Sequence, residues 1–105
     1  MCGKLVRDFI PDFIRADGLE PDVEVLEGTA YEQALDAKLL EEAIEVQAAL
    51  TTEQKLEELA DLEEVALARL ESLGFTPEDR ERVRLEKAAK RGGFAARLFL
   101  KVSKE

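Results

Sequence analysis

Two short acidic patterns carry the chemistry this chain could do. Glu41-Glu42-x-x-Glu45 is followed, after twelve residues, by Glu58-x-x-Asp61. Carboxylates three apart lie on one face of a helix, one turn apart. Thr51-Thr52 between them reads as a helix start, so the patterns belong to two antiparallel helices whose acidic faces meet. Four carboxylates in a small volume repel unless a hard cation sits among them. Glu42, Glu45, Glu58 and Asp61 are therefore candidate ligands for Mg²⁺, with Mn²⁺ as the alternative. Such an ion takes oxygen ligands, keeps waters and accepts substrate phosphates. It also eases deprotonation of a bound water and neutralises phosphate charge. Glu41, next to the ligand set, is the candidate catalytic carboxylate for orienting or deprotonating that water. Lys87, Lys90 and Arg91, ahead of Gly92-Gly93, are candidate phosphate-binding residues. Lys38, one turn before Glu42, is either a further substrate-binding cation or the ion-pair partner of Glu42.

Each of these features has a plainer alternative. Acids three apart are common on solvated helix faces, and three cations at a helix end complement its dipole. Spacing assigns no role to Lys4 or Arg7. What lifts the acids above a solvated surface is their place in the apolar pattern. Leu35, Leu39, Val46 and Ala49 form a helical seam, and Glu42 fills the gap where the period asks for an apolar residue. A carboxylate there is costly without a partner.

The elements that must position these groups follow from local signals. Pro11 opens a short helix to about Ala16, and Gly18 closes it. Gly28-Thr29 starts the first long helix, with Thr29-x-x-Glu32 in the form of a capping box, and it runs to about Leu50. The next starts at Thr51, with a weaker box to Gln54, and runs to about Ser72 ahead of Gly74. Leu59, Leu62, Ala66, Leu70 and Leu73 make its apolar stripe. Glu58, Asp61, Val65 and Ala68 lie on a strip beside it, while Glu57, Glu64 and Glu71 fall on the solvated face. Thr76-Pro77-Glu78-Asp79 is a third start, for a helix reaching about Lys90. Segment 4–7 is expected to be short and extended, 23–26 to form a short strand, and 94–102 to form a final strand. The predicted fold is mainly α: a helical hairpin with a third long helix, forming a bundle completed by oligomerisation, with short terminal β-segments, all in one domain spanning 1–105.

Composition bounds the function classes. The 105 residues suit one domain with a modest core, and small helical chains often complete such a core by self-association. The net charge of −9 argues against a nucleic-acid polymer or an anionic membrane as partner. The charge is also uneven. Residues 1–61 hold sixteen acids against five bases, and residues 80–104 hold nine bases against two acids. A negative half for cations and a positive end for phosphates suit a metal-dependent nucleotide enzyme. The single cysteine, Cys2, rules out an internal disulfide, and no apolar run approaches a membrane span, so a cytoplasmic location is expected. Without histidine, Ser-His and Cys-His nucleophile pairs are excluded.

The acidic signature resembles that of the all-α nucleoside triphosphate pyrophosphohydrolases, the superfamily of MazG, dimeric dUTPases and phosphoribosyl-ATP pyrophosphohydrolase. Four motifs resemble a small MazG-related, phosphoribosyl-ATP pyrophosphohydrolase-like group: Lys4-Leu-Val-Arg-Asp8 with Ile10-Pro11, Lys38-Leu-Leu-Glu-Glu42, Glu58-Leu-Ala-Asp61, and Lys87 with Arg91-Gly-Gly-Phe94. The resemblance implies Mg²⁺-dependent hydrolysis of a nucleoside triphosphate to monophosphate and pyrophosphate, of a house-cleaning kind. It implies Glu42, Glu45, Glu58 and Asp61 as ligands, Glu41 beside them, and Lys87, Lys90 and Arg91 near the phosphates. It also implies a homodimer or homotetramer, in which helices from two or more subunits complete the bundle. The group usually has a basic residue after Arg-Asp, where this chain has Phe9. The alternative function is a non-enzymatic helical oligomer or adaptor that keeps the fold.

Overall fold

The computed structural model describes residues 3–102. The described residues form four helices in the order α1 (Ile10–Ala16), α2 (Gly28–Ala48), α3 (Thr52–Ser72) and α4 (Pro77–Arg91). Residues up to Gly74 form one compact unit, and those from Phe75 onward form a second.

In the first unit, α2 and α3 pack against each other as a hairpin. Its turn is fixed by local chemistry. Ala49 is extended, which ends α2 two residues before the predicted Leu50. Thr51 caps α3: its hydroxyl accepts from the Gln54 amide at 3.1 Å, and Gln54 Oε1 accepts from the Thr51 amide at 3.3 Å. No basic residue occupies the last turn of α2. Lys55 reaches back from α3 in its place and donates to the carbonyls of Val46 and Gln47. A cation there satisfies free carbonyls and complements the dipole.

Farther along the hairpin, Arg69 of α3 donates to Asp36 Oδ1 at 2.8 Å and to Glu32 Oε1 at 3.4 Å on α2. The two helices are thus tied near both ends, which fixes their relative register and rotation.

The predicted seam of α2 is where burial is greatest. Leu35 is 2% exposed, Glu42 is 8% exposed, and Leu39, Val46 and Ala49 are half-buried. On α3, Leu62, Val65, Ala66, Ala68 and Leu70 are half-buried, while Glu57, Glu64 and Glu71 are exposed as expected. The predicted stripe frays at its ends, because Leu59 and Leu73 remain about half exposed.

Two local expectations fail. Thr29 forms no capping box. The N-cap of α2 is Glu27, which makes no side-chain cap, and Thr29 already lies inside the first turn, where its hydroxyl cannot precede the free amides. The terminal β-segments are also absent: among the described residues, 4–7, 23–26 and 94–102 contain no strand. An extended segment becomes a strand only with a ladder partner and a face to bury, and from Phe94 to Val102 every side chain is exposed. A tight turn, with the Arg97 amide donating to the Phe94 carbonyl at 3.0 Å, interrupts the last segment as well.

The second unit contains α4. Thr76 and Asp79 form a reciprocal capping box around Pro77 at the first position, as the sequence predicts. Gly92 ends the helix at a φ of 81°, a conformation that favours glycine. Cys2 lies outside the described residues.

Candidate metal centre

The tied hairpin sets Glu42 on α2 opposite Glu58 and Asp61 on α3. One carboxylate oxygen from each lies within 4.8 Å of the other two. The side chain of Glu42 is nine-tenths buried, at 10% exposure. Its Oε1 sits 3.6 Å from Lys38 Nζ, and its Oε2 is buried without a hydrogen-bond partner. Glu58 Oε2 is likewise buried and unpartnered.

Oxygens that give up water and find no donor carry a desolvation cost, and the three like charges add repulsion. The electrostatics of Glu58 reflect both effects. Burial, followed by the charges of Glu45, Asp61 and Glu42, raises its pKa above the usual carboxylate value, and contact with Glu42 adds to the shift.

A hard cation fits this donor set. In an octahedron with oxygens at about 2.0–2.1 Å, ligands are roughly 3 Å apart when adjacent and 4 Å apart when opposite. The 4.8 Å span of the three oxygens is close enough for small side-chain motions to close on an ion. Glu45, predicted as a fourth ligand, is exposed and contributes no oxygen to this group, although its charge still acts on Glu58.

The flanking residues differ in what they touch. Lys38 Nζ lies 3.3 Å from Glu41 Oε1, so it bridges Glu41 and Glu42 with 17% of its side chain exposed. It thus forms the ion pair with Glu42 that the spacing allows. Glu41 is half-buried and also faces Lys4 Nζ at 3.8 Å. Lys87, Lys90 and Arg91 are exposed on the last turns of α4, in the second unit.

Arg7, to which spacing assigns no role, donates from Nη2 to Asp61 Oδ1 at 2.7 Å. A contact across 54 residues leaves no local pattern to read. Beside the cluster, a shallow groove of about 470 Å³ runs between the helices, with Ile44, Ala48 and Ala49 on one wall and Gln54 and Glu57 on the other. Glu45 and Glu58 border it as well.

No helix among the described residues is long and apolar enough to cross a membrane. No family model and no solved structure matches the chain. A stretch of 54 residues is 50% identical to an uncharacterised protein of Mycolicibacterium smegmatis, covering 51% of this chain and 55% of that protein. The chain thus spans about half the length of the curated relative it matches.

Proposed function

We propose that this chain is a divalent-metal-dependent nucleotide pyrophosphohydrolase, which cleaves a nucleoside triphosphate by water attack at the α-phosphorus to give the monophosphate and pyrophosphate. The observation that carries this reading is the convergence of Glu42, Glu58 and Asp61 from two helices, with buried oxygens on Glu42 and Glu58 that no protein donor satisfies. The resemblance of the acidic motifs to the MazG-like enzymes points the same way.

Glu42, Glu58 and Asp61 would hold Mg²⁺ or Mn²⁺, with Glu45 at the rim of the site. When bound, the ion supplies charge neutralisation for the phosphates and a more acidic water. Glu41, held by Lys38 and Lys4, is the carboxylate available to orient that water and accept its proton. The groove walled by Ile44, Ala48 and Ala49 offers apolar surface for the organic part of a nucleotide. Lys87, Lys90 and Arg91, on α4 of the second unit, are the phosphate-binding residues that the resemblance implies. Apolar side chains on the hairpin, among them Leu40, Ile44, Leu56 and Leu59, are at least half exposed, which supports a homodimer or homotetramer.

The test is pyrophosphate release from a panel of deoxynucleoside and nucleoside triphosphates with Mg²⁺, comparing the chain with Glu42→Gln. Release by the chain and its loss in the variant is the expected result. Equal release by both, or none by either across the panel, refutes the proposal.

A second reading, a non-enzymatic helical oligomer or adaptor, is favoured by one observation. Lys38, Lys4 and Arg7 already pair with Glu42, Glu41 and Asp61. Calorimetric titration with Mn²⁺ separates the two, because an adaptor should show no stoichiometric binding.

A further inference from the structure

An acidic site that must receive a polyanion needs a cation at its edge that is free to change partners. Three cations border the cluster, and they differ in this respect. Lys38 is fixed between Glu41 and Glu42 and is 17% exposed. Lys4 is exposed and touches only the flank, at 3.8 Å from Glu41. Arg7 is bound directly to a member of the converging set, Asp61, at 2.7 Å, with 60% of its side chain exposed.

The guanidinium has five donors in a planar fork. Among the described residues, only one of its hydrogen bonds finds a protein acceptor, that to Asp61 Oδ1. Arg7 itself sits on a segment outside any helix.

We propose that Arg7 is a phosphate-binding residue of this site, which Asp61 holds in place until a phosphate chain arrives with the divalent ion. This rests on the metal reading above. An Asp61 carboxylate drawn toward a dication becomes a weaker acceptor for the guanidinium. A phosphate offers the same fork two oxygens at once. The exchange leaves each charge paired: the carboxylate on the ion and the guanidinium on the phosphate. Lys4, three residues earlier on the same segment, adds positive charge on the same approach.

The test uses the full chain and two titrations. Mn²⁺ is titrated into the wild type, Arg7→Lys and Arg7→Gln, and inorganic pyrophosphate is then titrated into each Mn²⁺-loaded protein, with helicity checked by circular dichroism. Mn²⁺ affinity should be unchanged or tighter in Arg7→Gln, which loses a competitor for Asp61. Pyrophosphate affinity should fall roughly tenfold or more in Arg7→Gln and by less in Arg7→Lys, which keeps the charge but loses the fork. Equal pyrophosphate affinity in all three overturns the role of Arg7 and leaves the metal reading standing. A wild type that binds no Mn²⁺ overturns both. If Arg7→Gln loses helicity, Arg7→Lys decides the matter: pyrophosphate affinity equal to wild type overturns the proposal.

Discussion

Replacing Glu42 by Gln separates a metal site from a merely acidic surface, because the two make opposite demands on stability. Two carboxylates with oxygens at most 4.8 Å apart, such as Glu42 and Asp61, repel by roughly 3 kcal/mol at an effective dielectric near 20. Asp61 is 40% exposed and paired with Arg7, so solvent and counter-charge reduce this to about 1 kcal/mol. The substitution removes that repulsion. It also removes the 3.6 Å contact to Lys38, but Lys38 keeps Glu41 at 3.3 Å.

In EDTA, Glu42→Gln should therefore melt higher, by roughly 4–8 °C for a gain of about 1 kcal/mol in a chain of this size. With Mn²⁺ at a hundred times its Kd, the wild type should gain about 2.7 kcal/mol, or roughly 10–20 °C. The variant should lose most of that gain. Thermal melts followed at 222 nm, with and without Mn²⁺, give both quantities. A variant that melts several degrees below the wild type in EDTA, or that shows the same Mn²⁺ shift, would refute the reasoning.

Three further outcomes follow from the same structure. Because the pKa of Glu58 is raised on folding, its protonated form favours the fold: this contribution is full below the unfolded value of 4.5 and is lost as pH rises through the raised value. Glu58→Gln should therefore gain on the wild type as pH rises through that range in EDTA, and a stability difference independent of pH would contradict it. Thr51→Ala should cost about 1 kcal/mol by removing a formed cap, whereas Thr29→Ala should be nearly neutral; urea melts of the two variants check this contrast. Leu35→Ala, at the fully buried position of the hairpin, should cost about 2–5 kcal/mol, a large part of the stability of a chain this small, with the urea midpoint as the measure.

Much of the helix layout was legible because its determinants are local. Thr51 with Gln54 and Thr76 with Asp79 are boxes closed within four residues, and the structure forms both. Thr29-x-x-Glu32 has the same letters but fails, since the N-cap of α2 is Glu27, two residues earlier, and Thr29 falls inside the first turn. Segments 4–7, 23–26 and 94–102 form no strand, because alternation describes a face, whereas a strand also requires a partner.

The chain's own pattern determined that Glu42 would be buried, since it occupies the gap in a seam whose other members turn inward. Only the tertiary structure decided which acids accompany it. Residues three apart lie about 60° apart around a helix, so the rotation of α2 against α3, fixed by Lys55 and Arg69, admits Glu42, Glu58 and Asp61 and leaves Glu45 at the edge. The same holds for Arg7, brought to Asp61 from 54 residues away. Periodicity and capping are properties of neighbours in sequence. The angle at which two helices meet, and the segment that crosses them, depend on contacts between residues far apart in the chain.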